Sequence, residues 1–278
     1  MLEIGKLSKN NSVEQKMTNI IDILEKRDLD GVIFDLDSTL IDTDQYYIDS
    51  QKKASKDLSK HLNLRVEYLD YRNIIKESFY KNNSKPQLIT DQLYNGSIEY
   101  CLRNNIEFKE RETFKRLLEK DFAYFYTTSP EIFPKTIELL HTISKAGKRI
   151  GIHTHGQEDW SLLKIKNLKE KYFKEYKEEL KIDAIHITPF ESKKDTDNWI
   201  RVGDKIKLEL TKILVIGDNI DADIVSALEA GYTNLVHIKR NRPDNLASII
   251  KTFQDLRPDV NLFAISVENI KDLLNPEL

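Results

Sequence analysis

The sequence predicts an α/β protein: a parallel sheet with helices on both faces, interrupted by an all-helical insertion. Three observations carry this. Five short apolar runs are continuous rather than alternating, which marks strands covered on both sides: GVIF (31–34), RIGIH (149–153), AIHI (184–187), KILVIG (212–217) and NLVHI (234–238). Helical patterns lie between the later runs, as the crossovers of a parallel sheet require. From residue 43 to residue 130 no strand-like run occurs, and the apolar spacing is helical.

In chain order, Val13, Met17, Ile20 and Leu24 suggest a leading helix within residues 1–27, and GVIF is the first strand. The insertion carries four stripes at helical spacing: Tyr47, Ala54, Leu58 and Leu62; Tyr71, Ile75 and Phe79; Leu93, Ser97 and Cys101; Phe114, Leu118, Phe122 and Phe125. NNS and SKPQ, residues 82–87, mark a loop inside it. Pro134 opens a helix whose apolar positions Ile137, Leu140 and Ile143 lead to Gly147, with Lys145 and Lys148 near its negative end. A further helix starts near Asp159, with Trp160, Leu163, Leu168, Tyr172, Tyr176 and Leu180 on one stripe and a Lys/Glu-rich face read as solvated surface. After NLVHI come a polar stretch containing Pro243, the run NLFAIS as an extension of the sheet, and a final helix. The expected division is a discontinuous α/β unit, residues 1–42 and 131–278, around a helical unit, residues 43–130.

Composition narrows the function classes. Apolar residues at 40% and charged residues at 32% of 278 describe a chain able to bury a core, and no apolar run reaches the roughly 18 residues of a membrane span. The N-terminal stretch has no apolar segment behind its lysines, so no secretory signal is expected. The single cysteine, Cys101, suits a reducing cytoplasm and, on an apolar stripe, reads as packing. With 43 basic and 46 acidic residues interspersed, a net charge of −3 gives no reason to expect a nucleic acid polymer or an anionic membrane as partner. The oligomeric state is not encoded in any pattern of this kind.

Ligands of an open parallel sheet bind outside the carboxyl ends of its strands. The residues there are Asp35 and Asp37, then Thr154, then Lys193 and Lys194, then Asp218 with Asp221 and Asp223. Asp35 and Asp37, two apart in extended chain, point the same way with Cα atoms roughly 7 Å apart and can address one pocket. Carboxylates sharing a pocket repel unless a cation intervenes. An all-oxygen acidic site of this kind suits Mg2+. A cation, a threonine hydroxyl and an ammonium around one carboxylate can hold a phosphoryl group while the carboxylate attacks in line. A second acid can then protonate the departing alkoxide and later deprotonate water.

DLDSTLID (35–42), HTHG (153–156), SKKD (192–195) and GDNIDADI (217–224) resemble, in order, the four signature motifs of the haloacid dehalogenase (HAD) superfamily of phosphohydrolases. The likeness spans about residues 31 to 240, and the helical insertion looks like that superfamily's cap in the first insertion position, on a Rossmann-like core. The resemblance implies Asp35 as nucleophile and Asp37 as general acid/base with its backbone carbonyl on the metal. It further implies that Thr39 supports the loop, Thr154 and Lys194 bind the phosphoryl group, Asp218 binds Mg2+ and Asp223 holds the metal's water shell. Dehalogenases and phosphonatases of the superfamily lack an acid at the position of Asp37, so the expected activity is hydrolysis of a small phosphorylated metabolite, a nucleotide or sugar phosphate. Two alternatives stand beside it: a phosphomutase or phosphotransferase on the same core, and a non-enzymatic regulatory binding protein. Asp42, Asp44 and Asp221 read as loop or hinge acids. His153 and His155 form only a weak zinc signal, and strand alternation points both away from Thr154.

Overall fold

The computed structural model describes residues 19–81, 88–240 and 244–274, with side chains of 79–81 excepted. The chain runs through α1 (Ile20–Lys26) into β1 (Gly31–Phe34), and then through α2 (Thr43–Leu62), α3 (Tyr68–Lys81), α4 (Ile89–Arg103) and α5 (Arg111–Asp121). It returns by α6 (Thr136–Lys145) to β2 (Arg149–Gly156), α7 (Glu158–Tyr176), β3 (Ala184–Pro189), α8 (Thr196–Ile206) and β4 (Ile213–Gly217). A π-helical turn (Ile220–Val225), α9 (Ser226–Ala230), β5 (Asn234–Ile238), α10 (Leu246–Leu256) and β6 (Phe263–Val267) follow, and a 3-10 turn at Ile270–Leu274 ends the described chain.

All pairings are parallel and the strand order is β3-β2-β1-β4-β5-β6. The five expected strands are present, and NLFAIS supplies the sixth, beside β5. Phe34 stands opposite Ile152 of β2 and Ile216 of β4, so the residues just past these three strand ends meet in space. The strand order reverses next to β1, which makes this end of the sheet the switch point where a ligand crevice forms.

Alternation along the strands fills two cores. Val32, Phe34, Ile150, Ile152, Leu214 and Ile216 pack against α1, α6 and α7 on one face. Ile33 and Val215 pack against Trp199, Val202 and Ile206 of α8 on the other. Caps set the helix ends: the Asn19 side chain accepts from the amides of Ile21 and Asp22 at 2.9 and 3.1 Å to start α1. Gly147, with φ of +71°, ends the α6 segment in the left-handed conformation that glycine adopts without strain. Val13 and Met17, expected on the first helix, lie outside the described residues.

The segment between β1 and β2 is helical, and α2 to α5 close on a cluster of their own. It includes Ala54, Leu58, Tyr71, Ile75, Leu93, Cys101, Phe114, Leu118, Phe122 and Phe125. The Leu, Ile and Phe side chains among them each contribute about 1.5–3 kcal/mol on full burial, and Cys101 packs with them. Trp160, from α7, is also in this cluster and so joins the insertion to the sheet layer. The loop expected at 82–87 and the side chain of Phe79 lie outside the described residues.

Two expectations need correction. The polar stretch after NLVHI contains a helix, α10, whose Leu246, Ile249, Ile250 and Phe253 pack on the core at i, i+3, i+4 and i+7; Pro243 itself lies outside the described residues. The expected final helix is, as far as the described chain goes, a 3-10 turn anchored by buried Ile270 and Leu273.

His153 of β2 is fully buried, with Nε2 3.1 Å from the Thr188 hydroxyl and its ring edge-on to Trp199. Burial, more than the nearby Lys194 charge, holds its imidazole well below the ordinary 6.5. A depressed histidine contributes stability that is present above its unfolded pKa and lost as pH falls through the folded one. Urea denaturation across a pH series should therefore show wild type losing about 1.4 kcal/mol per unit below pH 6.5 relative to His153→Gln, until the folded pKa is reached. Parallel stability curves for the two proteins would refute this.

Candidate active site

The site forms at the carboxyl end of β1. The Asp35 amide donates to the Ile216 carbonyl at 2.9 Å, which carries the β1–β4 ladder one residue beyond the strand. The chain then turns: the amides of Leu40 and Ile41 both donate to the Leu36 carbonyl at 3.0 Å, and Ser38 takes a left-handed φ of +58°. Asp35 is buried, and the Asp37 side chain keeps 26% of its exposure.

Of the two candidate lysines, Lys193 is exposed and Lys194 is buried. Lys194 Nζ lies 2.8 Å from Asp35 Oδ1 and 2.6 Å from Asp223 Oδ1. The distinction follows from the next helix. Asp195 caps α8 by accepting from the Asn198 amide at 3.1 Å, and this turns Lys194 toward the sheet, 5.1 Å over the Trp199 ring. Trp199 Nε1 donates in turn to the Ala222 carbonyl at 2.8 Å, tying α8 to the π-helical turn.

That turn returns Asp223 to the end of β4. Asn219 Oδ1 caps it by accepting from the amides of Asp221 and Ala222, and the Asn219 amide donates to Asp223 Oδ2 at 3.0 Å. The Asp223 side chain lies so close over Gly217 that a Cβ there would overlap its carboxylate, which gives the first residue of GDNIDADI a steric reason to be glycine. The Asp218 backbone carbonyl faces His237 Nε2 at 3.2 Å, and Thr39 Oγ1 donates to Asp218 Oδ1 at 3.4 Å.

Carboxylate oxygens of Asp35, Asp218 and Asp223, all buried, lie within 4.8 Å of one another. Lys194 is the ammonium paired with two of these three charges. Burial pushes the Asp35 carboxyl well above the usual carboxylate range; Lys194 opposes the rise, and Asp223, Asp218 and Asp37 add to it. Burial alone would lower the Lys194 ammonium, but Asp223 and Asp35 outweigh it and hold it raised. An all-oxygen donor set with surplus negative charge fits a hard divalent cation.

Asp37 is turned toward a different cation. Lys164 of α7, 1% exposed, places Nζ 2.5 and 2.7 Å from the two Asp37 carboxylate oxygens. The Thr43 hydroxyl also donates to Asp37, and the Thr154 hydroxyl does so at 3.4 Å. The Asp37 side chain is thus apart from the cluster of the other three acids. Thr154 faces this pair, as its position on β2 suggests, whereas His153 points into the opposite core and His155 lies beside Phe190. Asp42 caps α2 by accepting from the Gln45 amide at 3.0 Å, and Asp44 and Asp221 are exposed.

The expectation of a wholly solvated Lys/Glu face on α7 is therefore wrong at Lys164. A signal was present: Trp160, Lys164 and Leu168 follow at spacings of four, so this lysine occupies a position on the apolar stripe. Sequence reasoning also missed Thr43, Trp199 and His237, which hold the site's acids and lysine in place.

Residues 29–231 match the model of the family described as haloacid dehalogenase-like hydrolase. Among solved structures, the chain resembles a putative β-phosphoglucomutase from Thermotoga maritima at 17% identity and a TM-score of 0.58, covering 88% of this chain and 97% of that one. It also resembles the putative HAD-hydrolase YfnB from Bacillus subtilis bound to magnesium, at 13% identity and a TM-score of 0.55, covering 88% and 96%. A dehalogenase with intermediate complex follows at 14% and 0.53, covering 88% and 95%. Among curated proteins, none matches the sequence. At such identities the structural likeness is one of fold, and the family model, spanning most of the chain, decides membership: the protein belongs to the haloacid dehalogenase-like hydrolases.

Proposed function

We propose that the protein is a Mg2+-dependent phosphatase that hydrolyses a small soluble phosphomonoester through an aspartyl-phosphate intermediate on Asp35. The observation that carries this reading is the division of three acids between two cations: Asp35 shares Lys194 with Asp223, while Asp37 is held separately by Lys164. One carboxylate is thereby left to attack and the other to move a proton.

In the first step an Asp35 oxygen attacks phosphorus, the ester P–O bond breaks, and the departing oxygen takes the proton that Asp37 carries when the phosphoester binds. In the second, Asp37 takes a proton from water, the water oxygen attacks phosphorus, the bond to Asp35 breaks, and inorganic phosphate leaves. Lys194 and the Thr154 hydroxyl stand where they can offset the phosphoryl charge. The metal, held by Asp35, Asp218 and Asp223 when bound, would neutralise phosphoryl oxygens. Asp37 favours ester cleavage over dehalogenation, because an alkoxide needs a proton to depart and a halide does not.

Asp35→Asn should lower Mg2+-dependent hydrolysis of 4-nitrophenyl phosphate on the order of 10³-fold or more. Acid-quenched wild-type protein should carry one phosphoryl group by intact mass, and the variant none. Retained turnover in Asp35→Asn would remove the nucleophile assignment, and transfer of the group to an added sugar or alcohol would favour a phosphotransferase.

Mg2+ at a hundredfold excess over its Kd should stabilise the wild type by about 2.7 kcal/mol in thermal unfolding, reversibly with EDTA. Asp218→Asn should abolish that shift, and Gly217→Ala should weaken it by displacing Asp223. An undiminished shift in Asp218→Asn would show that the metal sits elsewhere.

A further inference from the structure

We propose that Lys164 is a positioning residue for Asp37, fixing its carboxylate on the leaving-group side of Asp35; this rests on the phosphatase reading above. The ammonium is 2.5 and 2.7 Å from both carboxylate oxygens and 3.9 Å from the centroid of the Trp160 ring. Burying an ammonium costs several kcal/mol, and a well-packed apolar residue of similar volume is often as stable or more so. A lysine that is 1% exposed at this place is therefore poorly explained by packing alone.

Its geometry supplies a specific task. Lys194 is committed to Asp35 and Asp223, so in a site of four carboxylates Asp37 needs its own counter-charge once it has given up its proton. The two-oxygen contact with Lys164, with donation from Thr43 and Thr154, restricts the rotation of the one acid that has to reach a leaving oxygen. Trp160 restrains the lysine from behind, and its own Nε1 is anchored on the Thr128 carbonyl at 2.8 Å. A charge-neutral packing residue would leave Asp37 turning between its two hydroxyl partners.

The test is the rate of Asp35 phosphorylation, by rapid quench in a single turnover, with 4-nitrophenyl phosphate and with phenyl phosphate. The first ester has a leaving group that departs without a proton; the second depends on the acid. Lys164→Met should lower the phenyl to 4-nitrophenyl rate ratio about tenfold to a hundredfold. Lys164→Arg should recover part of it, and Lys164→Met added to Asp37→Asn should lower the ratio no further than Asp37→Asn alone. Because both esters are compared in one preparation, the ratio is independent of how much of the variant is folded. An equal loss on both esters, or a further drop in the double variant, would overturn the proposal. If the wild type forms no phosphorylated Asp35 with either ester, the phosphatase reading has failed and the role of Lys164 falls with it, a result visible before any variant is made.

Discussion

The Lys194 ammonium, shared between Asp35 and Asp223, is the interaction on which the arrangement at the end of the sheet depends. Removing one partner of a buried pair of this kind costs about 3–5 kcal/mol, because it strands an uncompensated charge. Its three members come from separate parts of the chain: the end of β1, the loop between β3 and α8, and the π-helical turn after β4. No one of them is placed by local structure alone. The sheet register brings β1 and β4 together, the Asp195 cap aims the lysine, and the Trp199 bond to Ala222 holds the turn against α8. Three buried carboxylates converging within 4.8 Å at this point form the all-oxygen donor set that suits a divalent metal.

The parts of this arrangement that were legible in the sequence are those that depend on period and order. Continuous apolar runs announced the buried strands, and the acids immediately after GVIF and KILVIG fell at the ends where a parallel sheet binds ligands. Lys194 over Lys193 could be preferred only through the helix start that follows it, since two adjacent lysines carry no periodic signal. The structure gives the reason in the Asp195 cap. Helix α10 was missed because Pro243 and the polar residues around it dominated the reading, although Leu246, Ile249, Ile250 and Phe253 carry an ordinary helical spacing.

Lys164 carries a weaker signal. On a helix whose neighbours are Lys166, Lys169, Lys171 and Lys174, one more lysine looks like surface; local propensity does not separate it from the rest, and only its place between Trp160 and Leu168 on the apolar stripe does. Only the tertiary placement of Asp37, more than a hundred residues away in the chain, gives the ammonium a partner that offsets its desolvation. Rules of local consistency fail where a charge is buried for a task, and such a failure is itself informative about the site.

Lys164 also connects that task to the helical insertion. Its ammonium lies on the ring of Trp160, and Trp160 packs with Tyr46 and Tyr47 of α2 and with Phe125 and Tyr126 beyond α5, at centroid separations of 5.2 to 6.4 Å. Both passages between insertion and sheet layer reach the same few residues. Thr43, at the start of α2, donates to Asp37, and Thr128, on the return path, accepts from Trp160. Displacement of the insertion relative to the sheet would disturb the contacts of Trp160 and Thr43. Those two residues bear on Asp37 through Lys164 and directly, whereas Lys194 pairs with Asp35 and Asp223 and Trp199 ties α8 to the π-helical turn. Asp35 and its charge partners thus meet at the end of the sheet, and Asp37 is held jointly by the sheet layer and the insertion. In that geometry, movement of the insertion bears on the placement of Asp37 through Thr43, Trp160 and Lys164.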